Sequence, residues 1–349
     1  MQYYPATFCP FENVLIIHLW TFPEGIRKKG AGLGEKSDQD QHKDQGNFRM
    51  KLKIAALAVI ASATAATAAM AADGTLEKIA DLGEIVVGHR DGAVPFSYYD
   101  DKQQPVGYAM DLCGKVVDAV KEKLGKPDLK VVYMPVTGTT RIPLLVNGTI
   151  DMECGTTTNN VERQNQVTFS NTYFVAGVRI LSKKTAPLDD LAQAKDKTVV
   201  ALAGTTSIKI INDLNNAQGL NLTILQAKDL AEGMLTLETG RAEALIFDDV
   251  SIAGAAATSK TPDAYQISPT AMSVEPYGIM LRRDDDAFKG LVDQTLAGLY
   301  ASGDITGIYD KWFTQAIPPR GINMNFPMSE PLKKVIATPT DSPDVALYQ

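Results

Sequence analysis

The 349-residue chain is short of the side chains from which most enzyme centres are built: three histidines, three cysteines and two tryptophans. It has no surplus of positive charge either. A net charge of −7 and a pI near 5.1 argue against a nucleic-acid partner. No internal repeat of 20–50 residues is visible, which excludes a solenoid. Its most apolar stretch, Ile54 to Ala66, is too short to cross a bilayer. What remains, 45% hydrophobic and 21% charged residues, is the composition of one large or two ordinary globular domains.

That apolar stretch sits in a recognisable frame. Residues 50–72 read MKLKIAALAVIASATAATAAMAA: a basic start at Lys51 and Lys53, the apolar run, then small residues ending in Ala69-Met70-Ala71. The pattern predicts a secretory signal peptide spanning 50–71, with cleavage before Ala72 and no cysteine there to carry a lipid. Met1–Arg49 shows no hydrophobic periodicity and reads as a segment placed upstream of the true start. Setting residues 1–71 aside removes six acids and eight bases and leaves 278 residues with a charge near −9. Only His89, Cys113 and Cys154 then remain of their kinds. A zinc site or a histidine-based triad has little to draw on. In an exported protein a Cys113–Cys154 disulfide and two small core residues are both open readings.

Strand-like and helix-like runs alternate along the rest. The patterns predict strands over 84–88, 130–136, 149–154 and 178–182, with helices over 108–124 and 141–146 between them. A second series has strands over 198–203, 222–226, 242–247 and 277–281 and helices over 207–215, 230–239 and 284–302. This rhythm predicts an α/β chain of two lobes, each with a mostly parallel sheet. Beyond Phe326 the Pro-, Thr- and Asp-rich tail is expected to lie on the surface or to be mobile.

Ligands of open α/β sheets sit beyond the carboxyl ends of the strands, and that rule selects residues. Arg90 ends the first strand, Arg141 opens the helix after the second, and Thr156, Thr158 and Arg163 follow the third. Thr205 and Thr206, and the pair Asp248-Asp249, hold the corresponding places in the second lobe. Guanidinium forks bind carboxylates, hydroxyls and helix-start amides donate to them, and an aspartate holds an ammonium; the set suits an amino acid. His89 reads as a packed or hydrogen-bonded residue, and Asp151 with Glu153 equally as an acid pair or as solvated or capped acids.

The series VVGHRDGAVPFSYYD (86–100), RIPLLVNGTIDMECGTTTNNVERQ (141–164), AGTTS (203–207), TLETGRAEALIFDD (236–249) and IPPRGINMNF (317–326) resembles the periplasmic polar amino-acid-binding proteins of ABC importers, solute-binding protein family 3. The glutamate/aspartate-binding branch is the most similar. The resemblance implies a two-lobed type II (Venus-flytrap) fold with two hinge strands, residues 73–181 plus 279–349 forming lobe 1 and 182–278 lobe 2. It implies a periplasmic, monomeric binding protein with no catalytic activity, cofactor or metal, an amino-acid ligand and a membrane permease as partner. Arg163, Thr158 and Thr206 match the α-carboxylate set, Asp248 and Thr156 the ammonium set, and Arg90 and Arg141 the side-chain carboxylate set. The usual serine is threonine at 156. Two further positions depart: a serine is replaced by Gly138 and a histidine by Leu230. These changes predict more room, a weaker hold on the side-chain carboxylate, and little change of affinity between pH 6 and pH 8. The same fold also hosts cyclohexadienyl dehydratases, and glutamine binders are a further alternative.

Overall fold

The structure, a computed structural model, describes residues 74–349. The expected signal peptide and the segment before it lie outside the described residues. Along the chain the principal strands are β1 (Glu84–His89), β2 (Lys130–Pro135), β3 (Met152–Cys154), β4 (Val167–Phe169), β5 (Phe174–Ala176), β6 (Val178–Lys183), β7 (Thr198–Leu202), β8 (Thr223–Ala227), β9 (Ala244–Asp248), β10 (Tyr265–Ile267), β11 (Glu275–Tyr277) and β12 (Met280–Arg282).

They form two five-stranded sheets with one plan. Lobe 1 has the order β2-β1-β3-β12-β4, and lobe 2 the order β8-β7-β9-β6-β10. The first three strands of each are parallel, while β12 and β6 each run antiparallel to both neighbours. Strands β5 and β11 pair with each other and carry the chain across between the sheets. These are the two hinge strands of a two-lobed α/β fold. The crossing lies slightly before the boundary at 181/182 read from sequence, because β6 hydrogen-bonds entirely within the second sheet. The run over 277–281, read as one strand, is two: Gly278 separates β11 from β12, and a Cβ at that position would crowd Ser170 and Phe169.

The helix Tyr108–Leu124 forms over the range read from sequence and buries Leu112, Val116 and Val120 against the first sheet. Cys113 on this helix is bonded to Cys154 at the end of β3, so the open disulfide question closes in favour of the bridge. The tail after Phe326 lies mostly at the surface, as expected, and is structured there. It forms the helix Glu330–Ala337, capped by Ser329, and a last turn Val345–Tyr348. Leu332, Val335 and Tyr348 are buried, and Tyr348 hydrogen-bonds Thr172. Apolar residues at 332, 335 and 336 give that helix a buried face, which the tail's polar composition hides. Among the described residues, no helix is long and apolar enough to cross a membrane.

Candidate functional site

The two lobes meet with their strand ends facing. The loop after β2 touches the loop after β7 so closely that a Cβ on Gly138 would lie 2.3 Å from the Ala203 carbonyl oxygen. A second close approach brings Gly254, on the helix Asp249–Thr258 of lobe 2, against the Val94 carbonyl of lobe 1, at 2.5 Å from where its Cβ would stand. The sequence reading gave Gly138 extra room; the backbone of lobe 2 fills that space instead.

Between these contacts lie the charged groups. Arg90, Arg141 and Arg163 are all buried, and so are Glu153, Asp248 and Glu275. Burying three guanidiniums and three carboxylates is costly, and the cost is offset only where partners converge. Arg141 donates to the Thr157 hydroxyl at 2.5 Å, and Thr157 donates to Glu153 Oε2 at 2.6 Å. Its guanidinium also reaches the carbonyls of Thr156 in lobe 1 and Gly204 in lobe 2, each at 3.4 Å. Arg163 donates to the Thr158 carbonyl at 2.8 Å, while Asn160 caps its short helix. Burial and the neighbouring Arg141 push Arg163 down to about 9; the same two causes push Arg90 down to about 10.

Several groups keep unused capacity. Nη1 of Arg90, Nε of Arg141, Oε1 of Glu153, Oγ1 of Thr156 and Oδ1 of Asp248 are buried without a hydrogen-bond partner. Native proteins leave few such atoms, and five among the buried polar residues at the strand ends mark the place where a polar ligand would be recognised. Arg90 and Thr156 line a cavity of about 30 Å³ with Thr137, Leu202, Leu230 and Phe247. That holds a water or two, so admitting an amino acid requires the lobes or these side chains to move apart. Thr158, Thr206 and Glu275 line a separate cleft of about 570 Å³.

Asp248 and Asp249 part company. Asp249 begins a helix, accepts from the Val250 and Gly177 amides and lies 3.5 Å from Arg179. Asp248 accepts from the Tyr277 hydroxyl through one oxygen and keeps the other free. Burial and the nearby Glu275 raise it to about 8. The threonines separate too. The Thr205 hydroxyl is taken by the Leu202 carbonyl at 2.6 Å, a local loop bond, whereas Thr206 donates to Glu275 at 2.8 Å. Thr206 thus turns its hydroxyl across to Glu275, whereas that of Thr205 is spent within its own loop.

Sequence reasoning missed Glu275, Tyr277 and Thr157. Glu275 was findable: an acid directly before Pro276, at the start of a strand-like run, is out of place unless something holds it. His89 is buried, with Nδ1 3.1 Å from the Arg90 carbonyl and Nε2 3.3 Å from the Tyr99 hydroxyl. Asp151 and Glu153 are buried, not solvated, and serve apart: Asp151 bonds Lys78 and the Val86 amide. Among the described residues, no three His, Cys, Asp or Glu side chains gather as metal ligands would.

Residues 85–315 match the family model of the bacterial extracellular solute-binding proteins, family 3. The chain is 51% identical over 274 residues to the glutamate/aspartate import solute-binding protein of Escherichia coli strain K12, covering 78% of this chain and 91% of that one. It is 49% identical over 296 residues to the L-glutamate/L-aspartate-binding protein of Pseudomonas aeruginosa, covering 84% and 98%. Among solved structures it superposes on the ancestral amino-acid-binding protein AncCDT-1, a precursor of cyclohexadienyl dehydratase. That match has a TM-score of 0.59 and 27% identity over 69% of this chain and all of that one.

Proposed function

Because the chain belongs to the bacterial extracellular solute-binding proteins of family 3, we propose that it captures glutamate or aspartate for an ABC importer and hands it to the membrane permease. The observation that carries this reading is the clustering of three buried arginines of lobe 1 near one another, with Arg163 close enough to feel Asp248 of lobe 2 and Glu275, and with Thr206 of lobe 2 bonded to that same Glu275. Arg163, Thr158 and Thr206 bind the α-carboxylate, and Asp248 with Thr156 binds the ammonium. Arg90 and Arg141 bind the side-chain carboxylate. Each of these groups gains a partner it lacks, or exchanges an internal one, when the ligand arrives. A ligand that touches both lobes binds their closed arrangement better than the open one and so shifts the population towards it. The permease recognises that closed form. The protein acts as a periplasmic monomer exported by the segment starting at Met50, and N-terminal sequencing of the secreted form is expected to begin at Ala72.

A dehydratase on the same fold would need an acid–base group over the ligand's side chain. Arg90, Leu230 and Phe247 line the cavity at that end together with two acids, of which Asp91 is exposed and Asp229 is committed to capping the helix that begins at Leu230, while Glu153 holds Thr157 through one oxygen. Binding without turnover fits these groups better. The test is calorimetry with Glu, Asp, Gln, Asn, Arg and His, followed by analysis of the recovered ligand. Glu and Asp are expected to bind most tightly and to return unchanged. Equal or tighter binding of Gln or a basic amino acid ends the acidic-ligand reading, and a converted ligand ends the binding-only reading.

A further inference from the structure

Glu275 is buried on β11, the returning hinge strand, and three hydroxyls converge on it. Thr158 of lobe 1 donates to Oε2 at 2.7 Å, Thr206 of lobe 2 donates to the same oxygen at 2.8 Å, and Ser273 donates to Oε1 at 2.5 Å. Among the described residues no ion pair reaches this carboxylate, although Arg163 is close enough to feel its charge. Two of these donors are the hydroxyls assigned above to the ligand's α-carboxylate. A hydroxyl has a single proton to give, so neither can serve Glu275 and a ligand carboxylate at once.

We infer that Glu275 stands in for the ligand's α-carboxylate: it holds Thr158 and Thr206 together between ligands and loses them when the ligand binds. The inference rests on the proposed roles of those two threonines. Glu275 uses one donor from each lobe, as a bound carboxylate would, and therefore draws the lobes together without a ligand. On binding, the two hydroxyls rotate to the incoming carboxylate and Glu275 keeps Ser273. Bringing a second carboxylate next to the first is opposed by like-charge repulsion in a poorly screened site. Glu275 thus lowers the affinity for any ligand with a charged α-carboxylate, which keeps release possible from a cleft lined by three arginines.

The experiment is Glu275→Gln, with Glu275→Asp as a second variant that keeps the charge but is one methylene too short to hold both threonines. Calorimetry with glutamate is compared with isoglutamine, whose α-carboxyl is a neutral amide. Spectroscopic labels on the two lobes report their separation without ligand, and unfolding midpoints confirm folding. Glu275→Gln is expected to bind glutamate on the order of tenfold more tightly, roughly the strength of one net competing hydrogen bond. It is expected to improve isoglutamine binding clearly less, since that ligand competes for the same hydroxyls but brings no second charge, and to widen the unliganded separation; Glu275→Asp, which keeps the charge, shows smaller changes in the same direction. Weaker glutamate binding by a normally folded variant makes Glu275 a support for the threonines and overturns the inference. So does an equal gain for both ligands, or no change. If the wild-type protein binds no glutamate, the function itself fails, whereas wild-type binding without a gain in the variant sinks only the role of Glu275.

Discussion

Lobe 1 and lobe 2 share a strand plan but not their materials. The core of lobe 1 is aromatic: Phe96, Tyr108, Phe174, Tyr309 and Phe313 pack ring on ring, with Tyr309 and Phe313 stacked at 4.2 Å between centroids. The Cys113–Cys154 bridge ties the helix Tyr108–Leu124 to the sheet strand that ends at the site, and the C-terminal segment docks onto lobe 1 through Tyr348. Lobe 2 is mostly aliphatic, with Leu181, Val200, Leu202, Leu237, Leu245 and Ile252 on one side of its sheet. Its helix Asp249–Thr258 is made largely of small residues and lies close against lobe 1 at Gly254. The division suits the chemistry. Arginine side chains lose much rotamer freedom when fixed, and all three at the cleft stand on the bridged, ring-packed lobe. Lobe 2 brings short side chains, Thr206 and Asp248, and backbone carbonyls that must arrive with little clearance.

The sharpest way to break this comparison is to remove a cation from the stiff lobe. Arg163→Ala leaves buried acids without their counter-charge and takes the main donor from the α-carboxylate. Such losses cost about 3–5 kcal/mol, so calorimetry is expected to show glutamate affinity falling roughly a hundredfold or more. A loss under tenfold would remove Arg163 from the site.

Next in size is the bridge itself. Replacing Cys113 and Cys154 together by alanine, or reducing them, is expected to destabilise lobe 1 by about 2–4 kcal/mol. Calorimetric unfolding then shows lobe 1 melting earlier while the lobe 2 transition stays in place. A uniform shift of both lobes would contradict the division drawn here.

A smaller effect comes from the close contact between the lobes. Gly138→Ala puts a methyl group against the Ala203 carbonyl, and overpacking of this kind costs about 1–3 kcal/mol. Because the clash exists only where the lobes meet, affinity is expected to drop on the order of tenfold while the unfolding midpoint of the unliganded protein barely moves. If Gly138→Ala binds normally, the contact is not needed for closure.

The smallest effect is a pH dependence that the sequence did not foresee. With Asp248 raised to about 8 by burial and Glu275, its carboxyl is largely protonated at pH 6 to 7 when no ligand is present. Tyr277 and Arg163 pull the other way, and Asp249 adds to the rise. A ligand ammonium favours the carboxylate, so binding below pH 8 expels a proton and affinity climbs as the pH rises from 6 towards 8. His89, buried and lowered, does not oppose this. Calorimetry in buffers of different ionisation heat is expected to detect the released proton, and Asp248→Asn to abolish the slope. A flat profile would restore the expectation drawn from the lack of histidines.

The strands at the site and the helix over 108–124 were legible because apolar periodicity and strand-end position are local signals. That Arg90, Arg141, Arg163, Thr158 and Asp248 lie buried at strand ends was reached by that route and by the ordered motifs. The helix Asp249–Thr258 was not read, since small residues packed on several sides leave no amphipathic stripe. Glu275, Tyr277 and Thr157 were not read either: their importance lies in what the hinge and the far lobe bring to them, more than a hundred residues away for Glu275 and Thr158. Thr205 and Thr206 look alike in sequence, and only their partners, the Leu202 carbonyl and Glu275, tell them apart.

A crystal structure with glutamate bound tests the central claim most directly. The α-carboxylate is expected on Arg163, Thr158 and Thr206, the ammonium on Asp248, and the side-chain carboxylate on Arg90 and Arg141, with Thr205 still bonded to Leu202. A ligand lodged outside this cleft, or turned so that Asp248 faces a carboxylate, would contradict it.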